Sequence, residues 1–204
     1  MPRLREVPRA DAHPMAIAIY DFIFGEDRDP ATDSGTSTGS PGDWWTVTAL
    51  VPDAFDHIAG GIGFYQSKKR LIAPHLRELG QLRVGYTKMS KFVWSQHCKA
   101  CRMMGWSDEK ILAVRAWQTS DLFEPGERAL LAYADVLSLE HGRADDQLFD
   151  ELKKHFSDEE ILEFTYITAT YAMYATMSNA LKLEFDNMDD VIQEVPGDDL
   201  DLLD

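Results

Sequence analysis

Hydrophobic residues recur at intervals of three and four positions along most of this chain, the spacing that places side chains on one face of an α-helix. The pattern occupies residues 13–24 and then continues from Trp44 to the region of Leu183 with few interruptions. A half-buried strand would instead alternate apolar and polar positions between turn residues, and no such segment occurs. The sequence therefore predicts an all-α protein with roughly six to nine helices in a single domain.

The interruptions in this pattern carry residues that begin and end helices. Gly105 follows one helical segment, and residues 107–109 supply a capping serine and first-turn acids for the next. Pro125 can begin another helix, because its fixed φ suits the first helical position. Residues 157–160 have the form of a capping box and predict the start of the last long helix.

Two segments lack the helical pattern and set the domain boundaries. Residues 25–43 are rich in Gly, Ser, Thr, Asp and Pro and predict a flexible loop. Residues 186–204 hold eight acids and no base, which predicts a solvated tail; docking of this segment through its leucines is the alternative. We divide the chain into a helical arm (1–24), the loop, an all-α domain (44–185) and the acidic tail.

Composition narrows the class of protein further. A net charge of −15 argues against nucleic-acid binding, which needs clustered Lys and Arg. No apolar run approaches the roughly 18 residues that would span a membrane, and the N-terminus lacks the apolar segment of a secretory signal. The two cysteines do not make a disulfide framework, and a zinc site would need two further ligands at suitable spacing. We expect a cytoplasmic protein without metal.

His97 is a polar residue on the apolar face of a helix predicted over residues 91–104. A rotation of about 100° per residue groups it with Val93, Ala100 and Met104. The opposite stripe is predicted to face solvent and consists of Lys91, Ser95, Lys99 and Arg102. A buried histidine needs partners for its ring nitrogens, since an unpaired buried polar group costs about 1–3 kcal/mol. A core histidine bonded to a backbone carbonyl is the alternative to a functional one.

Glu78 is the predicted partner of His97. It lies in a helix predicted over residues 74–86, in which Gly80 and Gly85 would let a neighbouring helix approach closely. If this helix and the next are antiparallel, Glu78 reaches the region of His97. A carboxylate beside a buried histidine is an acid/base arrangement. An ordinary ion pair between Glu78 and a neighbouring arginine is the alternative.

Residues 77–111 resemble the core segment of the carboxymuconolactone decarboxylase and alkylhydroperoxidase-D superfamily. The matching positions, in order, are Arg77-Glu78-Leu79, His97 nineteen residues after the Glu, Cys101, Gly105, and Ser107-Asp108-Glu109-Lys110-Ile111. The segment EPGERALLAYADVLS and the final long helix also resemble this family, so that the similarity spans most of residues 44–185. The resemblance implies a compact all-α domain that assembles as a homo-oligomer.

The chain departs from both branches of this superfamily. The peroxidase branch carries C-x-x-C-x-x-x-H, and its two thiol positions correspond to Ser90 and Val93. The cysteines present, Cys98 and Cys101, follow the histidine and are out of register. The decarboxylase branch reads Y-E-W-x-x-H; its Trp and His are retained at Trp94 and His97, but Val93 replaces the second acid. Lactone decarboxylation itself is therefore in doubt.

These residues together predict a cofactor-independent proton-transfer enzyme, of decarboxylase or isomerase type, with Glu78 and His97 as its catalytic groups. The substrate would be a small unsaturated carboxylate or an aromatic ring-cleavage product. Its predicted binding residues are Arg83, Trp94, Gln96 and Tyr171, the last from a long helix unusually rich in hydroxyl groups. One alternative is a thiol peroxidase or disulfide reductase that uses Cys98 and Cys101. The other is a non-catalytic oligomer that binds a ligand.

Overall fold

Nine α-helices and no β-strand make up the part of the chain that the computed structural model describes, residues 1–184. The helices are α1 (Pro14–Phe24), α2 (Asp43–Thr48), α3 (Pro52–Gln66), α4 (Pro74–Thr87), α5 (Lys91–Met103), α6 (Asp108–Ala113), α7 (Pro125–Leu139), α8 (Asp146–Leu152) and α9 (Asp158–Leu181). Short 3-10 helices cover Arg9–Asp11 and Val114–Thr119. The predicted all-α fold is confirmed. The predicted acidic tail, 186–204, lies outside the described residues.

The helices begin and end at the residues whose chemistry predicts it. The Ser107 side chain accepts a hydrogen bond from the backbone nitrogen of the third residue of α6, at 3.2 Å. Ser157 and Glu160 form a capping box at the start of α9. The Ser157 backbone nitrogen donates to the Glu160 carboxylate at 2.9 Å, and the Glu160 backbone nitrogen donates to the Ser157 hydroxyl at 3.2 Å. Gly105, with φ of 85°, has the left-handed conformation that suits glycine after a helix.

The segment predicted to be a flexible loop has hydrogen bonds of its own. Arg28 donates to the Asp33 carboxylate at 2.9 Å and to the backbone carbonyl of Ser34 at 3.0 Å. The Thr36 and Ser40 hydroxyls lie 3.0 Å apart. The segment is irregular up to residue 42, and Asp43 already begins α2.

The described residues divide into two compact units. One comprises Met1–Ser67 with residues 177–184, and the other comprises residues 68–176. This division cuts across the predicted 44–185 domain. A core of Val7, Ala16, Tyr20, Phe24, Ala49 and Phe55 holds the first unit. The second unit contains every candidate site residue and has several apolar clusters, the largest around Leu79, Leu82, Trp94 and Leu131.

Two glycines let α5 and α9 pack directly against α4, as the sequence predicts. A methyl group on Gly85 would lie 2.7 Å from the backbone nitrogen of Trp94. A methyl group on Gly80 would lie 2.7 Å from the Thr168 hydroxyl oxygen and 2.9 Å from the Phe164 ring. These distances are below van der Waals contact, so a methyl group at Gly85 would displace the α5 backbone, and one at Gly80 would displace side chains of α9.

Residues 1–184 contain neither a membrane-spanning helix nor a cluster of metal ligands. None of their helices is both long and apolar enough to cross a membrane. Nor do three or more His, Cys, Asp or Glu side chains within this range come together as a group that could hold a metal ion.

Within the first unit, Glu184 forms hydrogen bonds with the residues that begin α2. Its carboxylate accepts hydrogen bonds from the backbone nitrogens of Gly42, at 3.0 Å, and Trp44, at 2.9 Å. Its own backbone nitrogen donates to Asp43 Oδ1 at 2.6 Å. Burial raises the pKa of Glu184 to about 7, although the two backbone donors oppose this shift. The native state therefore binds a proton here more tightly than the unfolded chain does.

Glu184 should make the free energy of unfolding depend on pH. Because the folded pKa lies above the ordinary value of 4.5, the stabilisation from this group is complete below pH 4.5 and is lost as the pH rises through 7. We expect the loss to be about 2–3 kcal/mol and to be absent in Glu184→Gln. Denaturant titrations between pH 4.5 and 8 measure it, with the exposed Glu109→Gln as control. An unchanged pH slope in Glu184→Gln would contradict the assignment.

Candidate active site

The Glu78 carboxylate and the His97 imidazole form a buried, hydrogen-bonded pair. Glu78 Oε2 lies 2.6 Å from His97 Nδ1, and each residue is only 6% exposed. This contact and that of Gly85 with Trp94 show that α4 and α5 are antiparallel. The arrangement brings the two predicted catalytic residues together.

The carboxylate determines which ring nitrogen of His97 can exchange protons. A carboxylate accepts hydrogen bonds, so the Nδ1–H group of His97 donates a hydrogen bond to Glu78. In the neutral ring, Nε2 then carries the lone pair that can accept a proton. Glu78 also stabilises the imidazolium that forms when His97 is protonated. The pair has the geometry of an oriented general base.

Tyr171 of α9 is the third member of this group. Its ring lies edge-to-face against the His97 imidazole, with centroids 4.7 Å apart and an interplanar angle of 79°. Burial raises the pKa of Tyr171 above the ordinary value, and the nearby charge of Glu78 adds to this shift. The phenol therefore stays protonated at neutral pH. The group combines a base and a hydroxyl donor within one helix junction.

The two positions that would hold thiols in the peroxidase branch have structural roles. Ser90 is the N-cap of α5, and its hydroxyl oxygen accepts a hydrogen bond from the Val93 nitrogen at 3.3 Å. The Val93 side chain is 2% exposed and packs with Val84 and Ala175. Neither residue type can act as a redox nucleophile.

Cys98 and Cys101 are part of the core of the second unit. Both are fully buried, neither forms a disulfide, and they pack in the same cluster as Trp94. Burial raises the pKa of Cys101 far above the ordinary value, with the Glu78 charge acting in the same direction. The thiolate is the reactive form of cysteine, so this environment disfavours thiol chemistry.

Arg83 was predicted to anchor an anionic substrate, but its guanidinium is committed to the fold. Nε and Nη2 pair with the Asp135 carboxylate, the latter at 3.0 Å. Nη1 donates to the backbone carbonyls of Val114, at 3.0 Å, and Arg115, at 2.7 Å. The sequence identified a buried cation but could not show that α7 supplies its counter-ion. Arg83 therefore links α4 to α7 through the Asp135 carboxylate.

The other two predicted binding residues of α5, Trp94 and Gln96, have different surroundings. Trp94 is fully buried in the core, where its ring lies 5.9 Å from that of Tyr86. Gln96 is partly buried, and its Nε2 has no hydrogen-bond partner, which keeps Gln96 a candidate substrate-binding residue.

Two residues of α5 and its C-terminal end differ in burial from the prediction. Ser95 was predicted to face solvent but is 2% exposed, whereas Met104, predicted to be buried, is the exposed C-cap residue.

Gln81 is a polar residue that the sequence analysis missed. It is fully buried, and neither polar atom of its amide has a hydrogen-bond partner. The Thr168 hydroxyl is in the same condition, whereas Thr165 and Thr176 bond the carbonyl four residues earlier in α9. Each unpaired group costs about 1–3 kcal/mol. Gln81 could have been identified from its spacing, because it follows Glu78 by three residues and so lies on a neighbouring part of the same helix face.

Comparisons with known proteins agree with this fold. Residues 49–136 match a sequence model of the carboxymuconolactone decarboxylase family. The uncharacterized protein YnjA of Escherichia coli (strain K12) is 29% identical over 145 residues, which cover 71% of this chain and 78% of YnjA.

Two solved structures show how widely the fold is shared. The apo form of the debrominase Bmp8 has a TM-score of 0.69 at 21% identity, with 89% of this chain and 91% of Bmp8 covered. An uncharacterized peroxidase-related protein from Ralstonia eutropha JMP134, described as an alkylhydroperoxidase AhpD core, has a TM-score of 0.70 at 17% identity, with 91% and 93% covered. At these identities the likeness concerns the fold. The matched family segment contains both Glu78 and His97, so over residues 49–136 the chain is similar to the carboxymuconolactone decarboxylase family, and its fold is similar to that of the AhpD-like proteins.

Proposed function

We propose that this protein is a proton-transfer enzyme that isomerises or decarboxylates a small unsaturated carbonyl compound, such as a carboxylate or an aromatic ring-cleavage product. The observation that carries the proposal is the buried contact of 2.6 Å between Glu78 Oε2 and His97 Nδ1, with Tyr171 against the imidazole. A buried acid and histidine beside a protonated phenol can move a proton without a further reagent.

The reaction follows from the roles of these groups. His97 Nε2 removes a proton from the carbon next to a carbonyl, and the C–H electron pair moves into an enolate. Glu78 balances the charge of the resulting imidazolium, and the Tyr171 hydroxyl is a hydrogen-bond donor near the developing negative charge. Return of the proton from His97 to another carbon gives the isomer. In the decarboxylation variant, the departing CO₂ leaves the electron pair that His97 protonates.

Solvent exchange tests the proposal before the substrate is known. We would incubate the protein in D₂O with a panel of unsaturated ketones, lactones and carboxylates and follow deuterium at their α and γ carbons by NMR. Catalysed exchange that is lost in His97→Asn, with the fold intact, is the expected result. A panel on which the wild-type protein and His97→Asn behave alike would reject proton transfer at this site.

A variant without thiols separates proton transfer from redox chemistry. We expect Cys98→Ala with Cys101→Ala to retain exchange activity within about twofold, because both sulfurs are buried in the core and play no part in the transfer. Removal of two packed sulfurs should lower the free energy of unfolding by about 1–3 kcal/mol. Hydroperoxide consumption is measured in parallel. Hydroperoxide turnover by the wild-type protein that disappears in the double variant would favour the thiol function.

We further propose that the protein is a homo-oligomer in which α9 contacts a second copy. An exposed stripe on α9 repeats at intervals of four, three and four residues and consists of Leu162, Tyr166, Ala169 and Met173. Leu162 is 69% exposed and Tyr166 is 48% exposed. The opposite side of α9 is buried in the chain and carries Ile161, Phe164, Ile167 and Ala175, so the helix has apolar residues on both sides. Such helices are normally covered on both sides.

Charge introduced into this stripe should break the oligomer. We expect Leu162→Asp with Tyr166→Asp to give a monomer, because burying two carboxylates in an apolar interface costs several kcal/mol each. Sedimentation equilibrium measures the mass. Met103→Asp, at an 89% exposed position on α5, is the matched control and should leave the assembly intact. A monomeric wild-type protein, or an unchanged mass in the double variant, contradicts the proposal.

A further inference from the structure

Gln81 lies where α4 meets both α5 and α9. It follows Glu78 by three residues and precedes Gly85 by four, and those two residues make the contacts of α4 with α5. The residue before it, Gly80, lies directly against the Thr168 and Phe164 side chains of α9. A rotation of about 100° per residue therefore places Gln81 on the sector of α4 between these two neighbours.

Thr168 occupies the facing part of α9. Its hydroxyl oxygen would lie 2.7 Å from a methyl group on Gly80, so it stands beside the α4 backbone immediately before Gln81. Tyr171 follows Thr168 by three residues, hence on a neighbouring part of the same helix, and contacts His97. Gln81 and Thr168 thus lie within about one helical turn of the three residues that make up the candidate active site.

These two side chains are polar, fully buried and without partners. Both polar atoms of the Gln81 amide and the Thr168 hydroxyl oxygen lack a hydrogen bond. Folded proteins satisfy nearly all such groups, because burial without a partner destabilises the native state. Unpaired groups beside an acid/base pair are expected where a substrate supplies the missing partner.

We propose that the Gln81 amide and the Thr168 hydroxyl bind an uncharged carbonyl oxygen of the substrate. The inference rests on the proposed proton-transfer function and adds the identity of the group that is held. Both are neutral donors, and a carboxylate brought out of water against neutral donors loses more hydration than it regains. Glu78 adds a negative charge close by, and the guanidinium of Arg83 is already paired with Asp135. Ketone, lactone, ester or amide carbonyls fit these conditions.

The proposal predicts opposite effects on stability and on binding. Gln81→Leu and Thr168→Val remove unpaired polar atoms while nearly keeping side-chain shape, so each should raise the melting temperature, by about 2–4 °C. The matched control is Gln147→Leu, at an exposed position of α8, which should leave it unchanged. A lower melting temperature in Gln81→Leu would show that the amide is paired in the folded protein and would overturn the proposal.

Binding is measured by NMR titration with two probes of similar shape, 2-cyclohexen-1-one and 1-cyclohexene-1-carboxylate. The wild-type protein should bind the ketone more tightly than the carboxylate at neutral pH. Loss of one neutral hydrogen bond in Gln81→Leu should weaken ketone binding about three- to tenfold. Carboxylate binding should change little in this variant, and Gln147→Leu should change neither.

The outcomes separate this inference from the proposed function. A wild-type protein that does not prefer the ketone, or a Gln81→Leu variant that binds it equally well, overturns the role of Gln81. Solvent exchange that depends on His97 would still stand in that case. Conversely, ketone binding that depends on Gln81 in a protein without exchange activity would leave the binding site in place and reject proton transfer.

Discussion

His97→Asn and Glu78→Gln should each lower proton-transfer turnover by about 10²–10⁴-fold, the range typical of a lost general acid or base. Asparagine has no nitrogen that accepts a proton at neutral pH. Glutamine keeps the shape of Glu78 but loses the charge that holds Nδ1 and stabilises the imidazolium. Because both residues act on one proton, the double variant should be little slower than either single variant.

Stability must be measured alongside turnover, because both groups are buried. Removing one partner of a buried polar pair can cost about 3–5 kcal/mol, which would lower activity by unfolding alone. Tyr171→Phe is a milder companion: it removes only the hydroxyl and keeps the edge-to-face contact with His97. It should reduce turnover less than His97→Asn does. If the Glu78 and His97 variants fold normally and keep full activity, the catalytic site lies elsewhere.

The features that could be read from the sequence are those set by local spacing and by short-range chemistry. The helical period predicted the all-α fold, and the caps at Ser107 and Ser157 fixed helix boundaries. The proximity of Glu78 and His97 required only that two adjacent helices be antiparallel. Gly80 and Gly85 pointed to close packing because their lack of a side chain has no other use within a helix.

Long-range partners explain what the sequence did not predict. Whether Arg83 binds substrate depends on Asp135, which is 52 residues away in α7. Periodicity predicts one buried stripe per helix, so it assigned Ser95 to solvent, although Ser95 is buried and its neighbours on that stripe are only partly exposed. Gln81 reads as an ordinary helix-forming residue. Only the enclosed junction of three helices shows that its amide is unpaired.

The spacing between α4 and α5 should be the most sensitive feature of the site after the catalytic pair itself. Gly85→Ala would put a methyl carbon 2.7 Å from the Trp94 nitrogen and 2.9 Å from its Cα, so the α5 backbone itself would have to move. We expect a loss of about 2–4 kcal/mol in the free energy of unfolding. Turnover should also fall by about 10–100-fold, because a shift of α5 carries His97 away from Glu78.

Two other glycines calibrate that effect by denaturant unfolding. Gly80→Ala meets the Thr168 hydroxyl and the Phe164 ring, which are side-chain atoms that can shift, so its loss of stability should be smaller than that of Gly85→Ala. Gly63→Ala, in the interior of α3, meets nothing within 4 Å and should raise the free energy of unfolding by about 0.5–1 kcal/mol. A Gly85→Ala variant as stable as Gly63→Ala would show that α5 does not rest on the α4 backbone. The contact between Glu78 and His97 would then need another support.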